Sequence, residues 1–229
     1  SNGFFHRDLK PENIMFVKGY IKLADFGLAT EIPNPYITSK MTEYVCTRWY
    51  RAPECILKSS NYSWMIDVWA LGCIMIEMFI LYPAFPGSSN FDQLVKIVEI
   101  LGTPQFNDWP DGFRLIQIMN MKFPDLQGRG LHAYVNEASL PVIDFIKMIF
   151  NYDTLKRPHC NKIIKHDIFS NLDSSLKDNN NNNFNSFGNI NNYNKIDNTR
   201  NPQYLNRFNN NNTANSYLQG NNNTINPHE

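Results

Sequence analysis

Charge of one sign is what this chain of 229 residues lacks: 21 Lys and Arg face 21 Asp and Glu, so the formal net charge is zero. No long-range field favours nucleic acid or an anionic membrane, and neither is expected as a partner. Cysteine is scarce. The four present (Cys46, Cys55, Cys73, Cys160) form no C-x-x-C pair, which argues against a zinc ribbon or a disulfide framework and for reduced thiols in a cytosolic or nuclear protein. Long apolar runs are missing too. The longest, Ala70 to Leu81, is too short to span a bilayer and is broken by Glu77, so it reads as a buried helix. No internal repeat and no signal peptide is visible. Sequon-like triplets such as Asn61-Tyr62-Ser63 are chance matches in an intracellular protein.

What is there divides into two parts. Residues 1–170 are mixed and patterned, enough for one domain with a core. From Asn171 onward, 23 of 59 residues are Asn, and the four basic residues balance the four acidic ones. Scattered Phe, Tyr and Leu there follow no period. Such a segment cannot bury enough apolar surface to offset chain entropy, and residues 171–229 are expected to be disordered and prone to self-association.

Along the chain, Ser1 to Phe5 reads as a stub, with Phe4-Phe5 packing under the loop that follows. Ile14-Met15-Phe16-Val17 and Tyr20-Ile21-Lys22-Leu23 are β-prone runs flanking Lys18-Gly19, a short hairpin that would hold Asn13 and Asp25 at its two ends. Thr30 to Tyr44 is polar, contains Pro33 and Pro35, and reads as a long functional loop. A short helix is expected from Glu54 to Lys58. Asp67 to Leu81 is apolar almost all round, a helix at the centre of a domain, with Asp67 placed near its start to suit the helix dipole. Asn90 to Leu101 and Leu140 to Phe150 are amphipathic helices, the first ended by Gly102-Thr103-Pro104. Asp111 to Met119 and Asn161 to Phe169 are two more, and Phe123 to Val135 is irregular. The body is therefore mainly helical, with one hairpin near its start.

Three motifs carry the chemistry: His6-Arg7-Asp8-Leu9-Lys10-Pro11-Glu12-Asn13, then Asp25-Phe26-Gly27, then Ala52-Pro53-Glu54. A charged run alone is by default a solvated face. Together and in this order they resemble the second half of the protein-kinase signature set, over residues 1 to about 170. The resemblance implies an α+β protein-kinase-like fold, here its large C-terminal lobe, and ATP with Mg²⁺ as cofactors. It implies that Asp8 accepts or orients the proton of a substrate hydroxyl and that Lys10 neutralises the transferring phosphoryl. Asn13 and Asp25 would hold the Mg²⁺ ions. Lys10 at this place marks Ser/Thr rather than Tyr kinases. By the same resemblance His6, Phe26, Gly27 and Asp67 are structural. His6 would bond backbone near Asp25, Phe26 would act as a packing switch, and Glu54 would form a buried pair with Arg157. His159, Cys160 and His166 fit no standard metal-site spacing.

Thr42-Glu43-Tyr44 stands before Thr47-Arg48-Trp49-Tyr50-Arg51 and resembles the dual-phosphorylation lip of MAP kinases. The resemblance implies that phosphorylated Thr42 pairs with Arg7, and phosphorylated Tyr44 with Arg48 and Arg51. Thr47 would bond Asp8 and Lys10. W-Y-R-A-P-E and the long insert after Tyr82 resemble the group holding cyclin-dependent and MAP kinases, which favours proline after the acceptor. Within it the chain is most similar to the male germ-cell-associated and ciliogenesis-associated kinases, where the lip usually reads T-D-Y; Glu43 departs from that. The expectation is a monomeric Ser/Thr kinase acting on Ser/Thr-Pro protein substrates, switched on by an upstream kinase, and cytoplasmic, nuclear or ciliary. Nothing resembles the small lobe: there is no G-x-G-x-x-G, no V-A-I-K lysine and no helix-C glutamate. The chain is thus expected to be a fragment, inactive by itself. The competing reading is a non-catalytic interaction module.

Overall fold

The computed structural model describes residues 3–31, 48–59 and 62–170. The organising element is helix α2, Met65–Ile80, whose Trp69, Cys73 and Ile76 are fully buried. Its sequence is apolar on every face, so neighbours must cover it all round. Helix α6, Leu140–Ile149, packs along it. The approach is closest at Gly72, where a Cβ would stand 2.8 Å from Ile149 and 2.9 Å from Phe150. Phe150 meets the Trp69 ring edge-on at 4.8 Å. The helix starts two residues earlier than the sequence suggests and stops at Ile80, because Leu81 takes a left-handed φ of 56° and caps it through an N–H bond to Glu77.

Helix α1, Pro53–Ile56, precedes α2 and is shorter than expected, with Pro53 in the first turn. Helix α3, Asn90–Leu101, is capped by the Ser89 hydroxyl, which accepts the Asp92 N–H at 3.0 Å. It ends at Gly102, whose φ of 85° is a conformation glycine adopts freely and whose Cβ, if present, would lie 2.7 Å from the Gln127 carbonyl. Helix α4 covers Pro110–Ile118. The stretch expected to be irregular, Phe123 to Val135, contains one helical turn, α5, Leu131–Tyr134. It is anchored by Arg129 and Gly130 N–H bonds to the carbonyls of Glu99 and Ile100. The last expected helix is broken. Helix α7 is only Cys160–Ile163, followed by a separate 3-10 turn from Asp167. His166 lies in the break, where its ring packs on Phe145 at 4.9 Å and its Nδ1 accepts the Ile168 N–H.

Strand β1, Phe4–Phe5, pairs antiparallel with β4, Thr30–Glu31. The supposed stub and the start of the supposed loop are therefore a two-stranded ribbon. Phe5 is buried, whereas Phe4 points to solvent. Strands β2, Ile14–Val17, and β3, Tyr20–Leu23, form the expected hairpin in the register Ile14↔Leu23 and Val17↔Tyr20. Its two-residue turn has positive φ at both Lys18 (51°) and Gly19 (84°), as a type I′ turn requires. Residues 171–229, where disorder was expected, lie outside the described part. No described helix is long and apolar enough to cross a membrane.

Candidate active site

β1 delivers the chain to His6, and α2 receives it. The backbone N–H of His6 donates to Asp67 Oδ2 at 2.6 Å, and that of Arg7 to Asp67 Oδ1 at 2.9 Å. Arg7 sits at φ 71°, which a non-glycine residue holds only when its surroundings fix it. Burial pushes the Asp67 carboxyl above the ordinary carboxylate range, against the lowering effect of those two N–H bonds. The sequence suggested a helix-dipole role for Asp67; the structure turns its carboxylate onto the backbone of the loop.

His6 is buried and bonded at both ring nitrogens. Nε2 lies 2.8 Å from the Ala24 carbonyl, which can only accept, so Nε2 carries the proton. Nδ1 then accepts the Asp8 N–H at 3.3 Å. One imidazole thus joins the residue before Asp25 to the backbone of Asp8. The Phe26 ring leans on it at 5.2 Å and is otherwise exposed.

Pro11 opens a single 3-10 turn, Pro11–Asn13, with Lys10 as its N-cap. That turn folds Lys10 and Asn13 back on Asp8. Lys10 Nζ stands 2.7 Å from Asp8 Oδ2. The buried Asn13 amide donates from Nδ2 to the Asp8 carbonyl at 2.9 Å, which leaves its oxygen at the opposite end. The Asp8 and Lys10 side chains keep 17% and 16% of their surface, so a solute can still reach them. The hairpin closes on this group through the Ala24 N–H bond to the Asn13 carbonyl at 2.9 Å. Asp25, at φ 59°, follows directly after Ala24. Gly27 leaves room for the carboxylate: its Cβ would sit 3.4 Å from Asp25 Oδ1. The Asp25 carboxylate and the Asn13 amide oxygen are hard donors suited to Mg²⁺, which takes few ligands from protein when phosphates supply others.

On the other side of Asp8, the 3-10 turn Arg48–Tyr50 leads into Ala52 and α1. A recess is lined by Arg7, Asp8, Tyr50, Arg51, Ala52 and Asp67. The Tyr50 hydroxyl donates to Glu77 at 2.7 Å. Burial, then that bond, hold the phenol well above its usual range; burial also raises Glu77, and Glu12 adds to it. Glu54 and Arg157 meet as a fork: Nη1 to Oε1 at 2.6 Å and Nη2 to Oε2 at 2.7 Å, both residues buried. Arg157 also donates to the carbonyls of Asn151 and Met65 and lies 5.0 Å over the Trp69 ring. Arg48 gives its guanidinium to the Ser88 carbonyl at 2.9 Å. The Arg7 guanidinium lies 5.7 Å over the Tyr62 ring. Thr42, Tyr44 and Thr47 fall outside the described residues. His159 and His166 are packed on Trp64 and Phe145 rather than on each other. Sequence reasoning did not find the Tyr50–Glu77 bond, because a hydroxyl and a carboxylate 27 positions apart carry no local signal.

The loop is thus strung between a helix carboxylate and a buried imidazole, with Lys10 and Asn13 drawn onto Asp8. The family model described as the protein kinase domain matches residues 1–169, and the chain belongs to that family. It is 46% identical over 171 residues to human "Serine/threonine-protein kinase MAK", covering 73% of this chain and 27% of that protein. It is 46% identical over 171 residues to rat "Serine/threonine-protein kinase ICK", covering 73% and 26%. With rice "Cyclin-dependent kinase F-4" it shares 44% over 169 residues, 73% of this chain and 36% of the relative. The chain thus spans between about a quarter and just over a third of the length of these relatives.

Proposed function

We propose that the chain is the acceptor side of a serine/threonine protein kinase that moves the γ-phosphoryl group of ATP to Ser or Thr hydroxyls of proteins. The observation that carries this is the convergence of Lys10 Nζ and the Asn13 amide on Asp8, on a loop whose backbone Asp67 fixes. Asp8 takes the proton of the acceptor hydroxyl. Lys10, at hydrogen-bond distance, keeps the carboxylate oriented and offers positive charge to the group in transit. Asn13 and Asp25 are the residues that would hold Mg²⁺. When bound with ATP, the metal supplies charge neutralisation at the phosphates. Proline after the acceptor, and activation through phosphorylated Thr42 and Tyr44 by an upstream kinase, complete the reading; both rest on the resemblance of the W-Y-R-A-P-E and T-E-Y segments.

The hairpin supports a further part of the proposal. Phe16 and Ile21, cross-strand partners on one face of the hairpin, are each 72% exposed, Tyr20 on its other face is 61% exposed, and Phe26 just beyond it is 60% exposed. A cross-strand pair of large apolar side chains left this exposed marks an interface. We assign it to a nucleotide-gripping lobe, so that the described body holds half of an ATP site. The test has two arms. In the full-length enzyme, Asp8→Asn should abolish phosphorylation of a Ser-Pro protein while leaving Mg-ATP binding intact; retained turnover would refute the assignment of Asp8. Residues 1–229 alone should bind Mg-ATP only weakly, and micromolar affinity by calorimetry would refute the half-site reading.

A further inference from the structure

Six polar or charged side chains are buried among the described residues. Four are already accounted for: His6 and Asn13 in the loop, Glu54 and Arg157 in their ion pair. The other two, Asp92 and Gln93, are neighbours in the first turn of α3. Gln93 is completely buried. An amide there costs stability unless both of its ends are bonded, and a leucine would fill the space without that cost. Both ends are bonded. Oε1 accepts the Gly87 N–H at 2.9 Å, and Nε2 donates to the Trp49 carbonyl at 3.3 Å.

The same two segments are tied from the other side. The Trp49 indole N–H donates to the Gly87 carbonyl at 3.2 Å, and Arg48 donates to the Ser88 carbonyl at 2.9 Å. Asp92 holds Ser88 by its N–H at 2.7 Å and its hydroxyl at 2.8 Å. The fit leaves no slack, since a Cβ on Gly87 would stand 2.4 Å from the Gln93 Cα. The turn before α3 and the segment before Tyr50 are thus clasped, with Gln93 as the pin. Tyr50, Arg51 and Ala52, directly after the clasped Trp49, line the recess they share with Asp8. The strip therefore lies within reach of a group that enters the recess beside Asp8.

We propose that Gln93 is a positioning residue for the acceptor peptide: through Trp49 it sets the strip 50–52 against Asp8 and so governs which residue is accepted beside the phosphorylated hydroxyl. This rests on the kinase reading above. Gln93→Met keeps the length and loses both bonds; Trp49→Phe keeps a large ring and loses only the indole N–H. In the full-length enzyme both should raise the peptide KM about tenfold, the effect of losing a buried hydrogen bond, leave the KM for ATP unchanged, and narrow the preference between a Ser-Pro peptide and its Ser-Ala twin. Equal changes in both KM values, or wild-type preference in both variants, would overturn the proposal. Amide hydrogen exchange over residues 48–52 gives a readout that needs no turnover. Faster exchange there in Gln93→Met, at unchanged protection of α2, supports the clasp even if the wild-type enzyme phosphorylates neither peptide, an outcome that would count against the kinase reading alone. Unchanged exchange over 48–52 overturns the clasp.

Discussion

Arg7 holds a backbone φ of 71°, and the carboxylate that keeps it there is Asp67, 2.9 Å from its N–H. A non-glycine residue in that region stores about 1–3 kcal/mol. Asp67→Asn offers one acceptor where two were used and turns an NH₂ toward the second N–H. The chain should lose roughly 2 kcal/mol in urea unfolding. Arg7→Gly relieves the strain at its source, so in the double variant the cost of Asp67→Asn should shrink. A full, additive loss would show that Asp67 does not act through the Arg7 backbone.

Gly72 is the contact point of α2 with α6. Ordinarily Gly→Ala within a helix gains about 1 kcal/mol. Here the new methyl would meet Ile149 at 2.8 Å and Phe150 at 2.9 Å. Overpacking of that kind costs about 1–3 kcal/mol, so Gly72→Ala should lower the unfolding midpoint rather than raise it. A raised midpoint would mean that α6 can shift away without penalty.

Glu77 gives a dependence on pH whose sign is fixed by its surroundings. Its folded carboxyl lies above the ordinary value of 4.5, mainly through burial. The native state therefore binds more protons than the unfolded chain across the window from that value upward. Its contribution is fully present below 4.5 and is lost as pH rises through the raised value. Glu77→Gln keeps an acceptor for the Tyr50 hydroxyl and has no proton to lose. The stability of the wild type relative to this variant should fall as pH rises above 4.5 through the raised value. A flat difference across that range would remove Glu77 as the source.

For the lip, the expectation concerns the full-length enzyme. Thr42→Ala combined with Tyr44→Phe should cut turnover about tenfold, or about 1.4 kcal/mol in activation free energy. Arg48 then matters for a second reason. It now donates to the Ser88 carbonyl, so a phosphate on Tyr44 would have to compete with that bond or share the guanidinium with it. Unchanged turnover in the double variant would end the switch proposal.

The elements legible in the sequence were those with a long period or a specific turn. The apolar run around Trp69, the amphipathic stretch from Asn90 to Leu101, and the Lys18-Gly19 hairpin each state their geometry locally. β1 and β4 could not be read that way. A two-residue strand has no period, and each needs a distant partner, as Phe4 does in Glu31, 27 positions on. The break between α7 and the turn at Asp167 was hidden for a related reason, because the ring that His166 packs on there belongs to Phe145, distant in the chain. In the site, the motif placed Asp8, Lys10, Asn13 and Asp25 in one neighbourhood. It was silent on the bonds from Asp67 to backbone N–H groups, since a backbone donor has no letter in a sequence. Gln93 read only as a polar position on a helix, although its amide is buried and bonded at both ends.

The fork between Glu54 and Arg157 spans 103 positions. A buried ion pair of that kind is costly when only one partner is in place. During synthesis at about 5–20 residues per second, Arg157 leaves the ribosome roughly 5–20 s after Glu54. For that interval the carboxylate of α1 has no counter-ion, and the first third of the body cannot settle in its final form. The nascent chain must keep Glu54 in water, and with it α1 and the strip leading to it, until the last helices arrive. The acceptor side of the site is therefore assembled late, by residues that do not touch the chemistry.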